Sequence, residues 1–306
     1  MASAALIGVD WGTSSVRAYR IAFDGVVIDS RESTSGVQKM GRVSYASALD
    51  TLLGDWRDEP VPRLAAGMVG SRNGWIEVPY VEAPATLRAL ADGLRRTPDG
   101  ELAIVPGVIV RDSAGTPDVI RGEETQLFGA LDEAHADTLL VMPGTHSKWV
   151  VARDGTLAEF ATWMTGELYA VLLAHSILGR LAEPGTGGDD RGFQRGVEFG
   201  LRDGAIVHDC FAARSLVLTG ELAGADVADF LSGLLIGREV RDGERWTRKR
   251  GNVVNDVCVV GADALATRYG YALAQAGIVA RRAPFAAARG LWRIARAASL
   301  LSPRSP

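Results

Sequence analysis

Residues 6–25 read LIGVDWGTSSVRAYRIAFDG, and residues 139–155 read LLVMPGTHSKWVVARDG. Each stretch opens on a hydrophobic run, breaks at a Gly followed by small hydroxyl residues, resumes in β-branched and aromatic residues, and stops at Asp-Gly. That pattern predicts strand, turn, strand and hairpin turn, with Asp24-Gly25 and Asp154-Gly155 as the closing turns. Meeting it twice implies two related halves.

Around the two hairpins, short β-like runs (Val26 to Ile28, Leu64 to Met68, Ile104 to Val110, Val257 to Val260) alternate with helical periodicity. Leu168, Val171, Leu172, His175, Leu178 and Leu181 recur every three or four positions, as do Phe230, Leu231, Leu234 and Leu235. A mixed α/β chain follows. The expected boundary lies near Ala134 to Thr138, giving an N-terminal domain over 1–135 and a C-terminal domain over 136–285. Pro184 to Arg191, rich in Gly and Asp, reads as a mobile loop. The tail from Ala286 to Leu301 reads as a basic amphipathic helix that docks back on the body, and residues 286–306 are assigned to it.

The 306 residues carry a net charge of −4, with 47% hydrophobic and 23% charged residues. This is globular composition without the global basic field that gathers nucleic acid or anionic membrane, so an anionic ligand has to be held locally. Cys210 and Cys258 have no metal-ligand spacing, and the four histidines form no HExxH or Cys/His cluster, which argues against a structural metal or a disulfide scaffold. No apolar run approaches membrane-spanning length and no leader pattern is seen, so a cytoplasmic protein is expected.

The repeated turn carries the chemistry. A Gly followed by hydroxyl residues can aim backbone N–H and side-chain O–H groups at a phosphate, and two such turns can clamp one polyphosphate. Gly12, Thr13, Ser14 and Ser15 form the first candidate loop, and Gly144, Thr145, His146 and Ser147 the second. There is no Walker motif and no GxGxxG fingerprint. Asp10, beside the first Gly, can hold Mg²⁺ against phosphate oxygens or simply cap its own turn. Lys148 can neutralise charge on a transferring phosphoryl group or stand solvated. Glu123 and Glu124, in VIRGEETQLFGAL, open a helix; either suits a carboxylate base for phosphoryl transfer, and both also suit the helix dipole.

The stretches DWGTSSVRAY, AGMVGSRNGW, RGEETQLFGAL, MPGTHSKWV, TGELYAVLL, FLSGLLIGRE and VVGADALATRY, in that order across almost the whole chain, resemble the 2-dehydro-3-deoxygalactonokinase family of sugar-acid kinases. The resemblance implies two related actin/hexokinase-like (ribonuclease H-like) α/β domains with a nucleotide cleft between them. It makes the two hairpins phosphate-1 and phosphate-2 loops, with Arg17 counted among the phosphate-binding residues, and Gly261, Ala262 and Leu265 the adenosine-contacting turn and helix start. This chain has Ala262 where the wider superfamily commonly has a second Gly, and Pro143 where many members carry an acidic residue, so metal anchoring falls mainly on Asp10.

The implied reaction is Mg²⁺-dependent transfer of the ATP γ-phosphoryl group to the 6-hydroxyl of 2-dehydro-3-deoxy-D-galactonate, in galactonate catabolism. Glu123 or Glu124 would take the hydroxyl proton. For the sugar acid, AGMVGSRNGWIEVPY offers Ser71, Asn73 and Gly74 as polar contacts and Trp75 as a flat face, with Arg17, Arg72 and Arg121 as cations for the carboxylate and Thr165 and Glu167 as further lining. The expected partners are the two small molecules, neither nucleic acid nor membrane, with a homodimer left open. An exopolyphosphatase-like phosphohydrolase and a non-catalytic sugar-acid sensor are the rival readings. The first lacks an expected basic channel, and the second would be expected to have lost the clamp residues that this chain retains.

Overall fold

The repeated turn governs the architecture. In the computed structural model, which describes residues 3–40, 44–131, 137–183 and 190–301, strands β1 (Leu6–Trp11), β2 (Val16–Ile21) and β3 (Val27–Ser33) form an antiparallel meander. Parallel to β1 runs β4 (Arg63–Gly67), followed by β5 (Val81–Glu82), β6 (Arg95–Arg96), β7 (Ala103–Ile104), β8 (Val108–Arg111) and β9 (Pro117–Ile120). The larger sheet has the order β3-β2-β1-β4-β7-β6, and β5-β8-β9 form a small one. The run from Ile104 to Val110, expected as one strand, is two, because Pro106 and Gly107 interrupt the ladder and the chain changes sheet.

The second sheet is built from β10 (Thr138–Met142), β11 (Ser147–Arg153), β12 (Thr156–Trp163), β13 (Asp256–Val259) and β14 (Val279–Arg282), in the order β12-β11-β10-β13-β14. That order matches β3-β2-β1-β4-β7 strand for strand, with parallel pairing at β1/β4, β4/β7, β10/β13 and β13/β14. Asp154 and Gly155 adopt φ of 49° and 69°, the left-handed pair that a two-residue hairpin turn requires.

The helices are α1 (Tyr45–Leu53), α2 (Leu87–Asp92), α3 (Glu123–Ala130), α4 (Thr165–His175), α5 (Arg191–Leu201), α6 (Ile206–Asp209), α7 (Ala212–Leu218), α8 (Val227–Arg248), α9 (Asp263–Gln275) and α10 (Ala286–Ala297). The chain divides into two compact units: Met1–Thr138 with Ala152–Phe160 and Ala283–Pro306, and Leu139–Val151 with Ala161–Arg282. The expected loop at 184–191 and the expected boundary at 134–138 fall largely outside the described residues.

In the first unit, the core beneath β1 and β4 gathers Ile7, Val9, Trp11, Leu53, Trp56 and Ile104. α10 buries Leu291 and Ile294 and crosses α3 at two glycines: a Cβ on Gly129 would lie 1.8 Å from the Ala286 carbonyl oxygen, and one on Gly290 1.8 Å from that of Thr125. In the second unit, Trp149, Val257, Tyr269 and Leu273 belong to one core. α5 and α8 meet along Gly196, Gly200, Gly233 and Gly237, where any Cβ would strike the facing backbone.

Of the periodic residues, Leu168, Val171, Leu172 and His175 lie in α4, which stops at His175, while Leu178 caps and Leu181 ends the 3₁₀ turn beyond it; those in α4 do not define a buried stripe. Leu168 is 38% and Val171 47% exposed, and among α4's described residues only Thr165 is buried. None of the described helices is long and apolar enough to cross a membrane. Cys210 and Cys258 are both buried and are not joined in a disulfide.

Candidate active site

The first loop is held from beneath. Gly12 N–H donates to the Ser15 carbonyl at 2.9 Å, closing the turn, and the N–H groups of Val37 and Gln38 donate to the Gly12 and Thr13 carbonyls, each at 3.1 Å. Gly36 sits so close that a Cβ would lie 2.3 Å from the Ser14 carbonyl carbon. With its carbonyls engaged on that side, the loop leaves Ser14 exposed and Thr13 and Ser15 partly so. Arg17, two residues on, pairs with Glu32 on β3 at 3.0 Å.

Asp10 and Glu123 come within electrostatic reach because three backbones pack with no side chain between them. Gly67, at the end of β4, has φ 97° and would place a Cβ 2.6 Å from the Trp11 carbonyl oxygen; Gly122, at φ 109°, would place one 3.2 Å from the Gly67 Cα. Gly122 caps α3, so the helix starts against the ends of β1 and β4. Burial raises the Asp10 carboxyl to about 6; Arg17 opposes this, the Glu123 charge adds to it, and a hydrogen bond from Gln126 opposes it.

The two glutamates are not equivalent. Glu124 is 0% exposed; it accepts from Gly122 N–H at 2.7 Å and from the Thr125 hydroxyl at 3.0 Å. Burial, reinforced by the Glu123 charge, lifts it to about 7. Glu123 is only half-buried, and its Oε2 accepts from Arg121 N–H at 2.9 Å.

The segment expected to hold the sugar acid folds back on the end of β4. Trp75 N–H donates to the Val69 carbonyl at 2.8 Å, and Gly74 lies where a Cβ would meet that same oxygen at 2.2 Å. Trp75 stacks on Tyr45, with centroids 5.9 Å apart and planes at 14°, and meets Trp11 edge-on at 6.5 Å. The ring expected as a flat face for the sugar acid is partly exposed and belongs to an aromatic cluster. The Tyr45 hydroxyl donates to the Asn73 carbonyl at 3.0 Å, and the Ser71 hydroxyl is buried without a hydrogen-bond partner among the described residues. Arg121 is buried: it donates to the Val78 carbonyl at 2.7 Å and lies 4.4 Å over the Tyr80 ring, so it holds this segment in place. Arg72 is exposed, 3.4 Å from Glu77.

In the second unit, Val260 N–H donates to the Val141 carbonyl at 3.0 Å, so β10 and β13 end side by side. The Gly144–Ser147 loop and the Gly261–Ala262 turn thus leave the same edge of one sheet, and a Cβ on Gly261 would be in ordinary contact with Pro143, at 3.4 Å. Gly261 and Ala262 are exposed, Ala262 caps α9, and Leu265 packs partly against the core.

The loop itself is braced by Gly166, whose Cβ would lie 2.5 Å from the Gly144 carbonyl oxygen, and by Glu167 N–H donating to the Thr145 carbonyl at 2.9 Å. Thr145 and His146 are exposed, and His146 Nε2 is paired with the Glu167 carboxylate. Strand alternation turns the next two side chains to opposite sides. Ser147 is fully buried, its hydroxyl 2.7 Å from that of Tyr269, so this hydroxyl, expected toward phosphate, faces inward. Lys148 is 5% exposed and donates to the His146 carbonyl at 2.7 Å, which removes the solvated alternative. Thr165, expected as substrate lining, is buried and hydrogen-bonds to Glu239.

Gly36, Gln126, Tyr45, Glu239 and Tyr269 were not singled out from sequence. Glu239 and Tyr269 do lie inside the family-like stretches FLSGLLIGRE and VVGADALATRY, where spacing alone gives them no role. Among the described residues no group of three or more His, Cys, Asp or Glu can hold a metal ion unaided.

The arrangement is therefore two braced, partly exposed Gly-hydroxyl loops, with a carboxylate pair, Asp10 and Glu123, beside the first. Comparison with known proteins agrees with that chemistry. The chain matches the model of the 2-keto-3-deoxy-galactonokinase family over residues 10–294. It is 41% identical over 238 residues to the 2-dehydro-3-deoxygalactonokinase of Escherichia coli strain K12, covering 78% of this chain and 80% of that one. It is 37% identical over 300 residues to a Rhizobium meliloti strain 1021 protein named as a probable enzyme of the same kind, covering 93% and 96%. The crystal structure of a Sinorhizobium meliloti protein assigned as a 2-dehydro-3-deoxygalactonokinase superposes with a TM-score of 0.84 at 36% identity, covering 95% and 98%. At 13% identity and a TM-score of 0.52, the activator of 2-hydroxyisocaproyl-CoA dehydratase from Clostridium difficile, with bound ADPNP, shares the fold over 96% of both chains. The chain belongs to the 2-keto-3-deoxy-galactonokinase family.

Proposed function

We propose that this kinase transfers the γ-phosphoryl group of ATP to the 6-hydroxyl of 2-dehydro-3-deoxy-D-galactonate in the cytoplasm, within galactonate catabolism. The observation that carries this reading beyond family membership is the pairing of a half-buried Glu123 with Asp10 beside a Gly-hydroxyl loop. Following the resemblance, the two Gly-hydroxyl loops are phosphate loops of an actin/hexokinase-like kinase, and the Gly261–Ala262 turn contacts the adenosine.

Glu123 is the group that takes the proton of the 6-hydroxyl. Its neighbour is buried and occupied by Gly122 and Thr125, whereas Glu123 is half-buried at the start of α3 with one oxygen held by Arg121 N–H. As that proton leaves, the sugar oxygen forms its bond to the γ-phosphorus while the bond to the β,γ-bridging oxygen breaks, and ADP departs. Phosphoryl transfer passes through a loose transition state in which positioning dominates, so a fixed carboxylate that orients the hydroxyl is sufficient.

A Mg²⁺ ion fits the donor set. Magnesium in kinases is held by one or two carboxylates and by substrate phosphates, and Asp10, with Glu123 nearby, supplies that share. When bound, the ion neutralises charge on the β- and γ-phosphates.

Lys148 shapes the second loop through the His146 carbonyl, and Glu167 fixes the His146 ring. The test is ATP consumption by the purified protein with Mg²⁺ and 2-dehydro-3-deoxy-D-galactonate, its gluconate epimer, or no acceptor. Turnover dependent on the galactonate supports the reading, and turnover without any acceptor overturns it in favour of a phosphohydrolase.

A further inference from the structure

Glu239, in the middle of α8, is 2% exposed and takes no part in the reaction as described. Its Oε1 accepts from the Trp149 indole N–H at 3.0 Å, and its Oε2 accepts from the Tyr269 hydroxyl at 2.5 Å. The Ser147 and Thr165 hydroxyls hydrogen-bond to it as well, and Ser147 also meets Tyr269 at 2.7 Å. Four side chains from three elements converge on one carboxylate.

Those three elements carry the candidate nucleotide contacts of the second unit. Ser147 and Trp149 begin β11 as it leaves the Gly144 loop. Thr165 opens α4, next to the glycine that packs on Gly144. Tyr269 stands on α9, the helix capped by Ala262. α8 is brought to them by absence of bulk: a Cβ on Gly243 would lie 2.3 Å from the Trp149 ring, so the indole crosses α8 one turn beyond Glu239.

A carboxylate taken out of water is costly unless its lone pairs are filled, and hydrophobic replacements of buried charges are often neutral or stabilising. Packing alone does not call for an acid here. What the acid supplies is one shared acceptor for groups on β11, α4 and α9, which ties those elements to α8.

We propose that Glu239 is a positioning residue for the nucleotide. Through Ser147 and Tyr269 it sets the spacing between the Gly144–Ser147 loop and the Gly261–Ala262 turn. The inference rests on reading those two segments as nucleotide contacts. It places the effect on ATP and leaves the sugar acid untouched, since Thr165, the one sugar-acid candidate in the network, is buried.

The experiment uses the full-length protein and its Glu239→Gln, Tyr269→Phe and doubly substituted variants. Each is titrated calorimetrically with the non-hydrolysable ATP analogue AMPPNP, with thermal unfolding in parallel and separate KM values for ATP and the sugar acid. The expected result is at least tenfold weaker analogue binding in the Gln variant with unchanged stoichiometry. The ATP KM rises in proportion, the sugar-acid KM stays within twofold, and the double variant is no worse than the worse single one, because both changes break the same chain of bonds. Tyr269→Phe leaves the Trp149–Glu239 bond intact and carries the test if Glu239→Gln does not fold. Analogue affinity within twofold of the parent in folded variants, additive losses, or equal losses in ATP and sugar-acid parameters would overturn the proposal, as would a parent that binds no nucleotide. A parent that binds AMPPNP but does not turn over the sugar acid defeats the substrate reading while the binding comparison still decides this one.

Discussion

Asp10 and Glu123 share one electrostatic environment: burial lifts the Asp10 carboxyl to about 6, Arg17 opposes the rise, and the Glu123 charge adds to it. Replacing Glu123 with Gln removes that charge, so Asp10 ionises at lower pH. The same change removes the proposed base, for which a loss of about 10²–10⁴ in turnover is the ordinary range. The pH–rate profile of Glu123→Gln should therefore show a much lower plateau and an acidic limb displaced to lower pH. A plateau within threefold of the parent would remove Glu123 from the chemistry.

Glu124→Gln should behave differently. Its carboxyl is raised from 4.5 to about 7 in the folded protein, so the folded state holds a proton that the unfolded state has released. Stability then falls as pH climbs through that window, by about 3 kcal/mol once both states are ionised. Asp10 acts with the same sign between 3.8 and about 6. The parent should be more resistant to urea at pH 5 than at pH 8, and Glu124→Gln should flatten the difference while keeping most of the activity. Equal pH dependence in parent and variant would show that Glu124 is not buried as the acid.

The hairpins could be read from sequence because their determinants are local. Gly-hydroxyl breaks and Asp-Gly turns act through backbone conformations that few other residues adopt. The role of the buried acids could not. Glu239 sits mid-helix, where an acidic residue ordinarily marks a solvated face, and only the convergence of β11, α4 and α9 puts it inside. Gly36 is equally silent in sequence, because its importance is a distance to a segment more than twenty positions away. The α4 periodicity was legible as helix but silent as to burial, since spacing encodes a helical face and not what covers it.

The two candidate phosphate loops are each braced by a glycine, Gly36 below the first and Gly166 below the second, with prospective Cβ contacts of 2.3 and 2.5 Å to loop backbone. Contacts that short force something to move. Gly36→Ala and Gly166→Ala should each weaken ATP binding, roughly tenfold, with the sugar-acid KM little changed. Wild-type ATP affinity in either variant would mean that the loops do not depend on their braces.

The last prediction concerns the crossing of α3 and α10. Gly129 and Gly290 leave no room for a Cβ, with carbonyl oxygens 1.8 Å from where it would be, and α3 is the helix that starts with Glu123. Pushing the helices apart costs stability, typically 1–3 kcal/mol for overpacking, and also moves the proposed base relative to Asp10. Because misplacement of a reacting group by an ångström can cost about a hundredfold, Gly290→Ala should lose more turnover per folded molecule than a core variant of matched stability outside α3 and α10. Leu53→Val, at a fully buried position of α1, provides that control. Active-site titration normalises both to folded protein. If Gly290→Ala and the control lose turnover only in step with their folded fractions, the terminal helix stabilises the first unit without setting the position of Glu123.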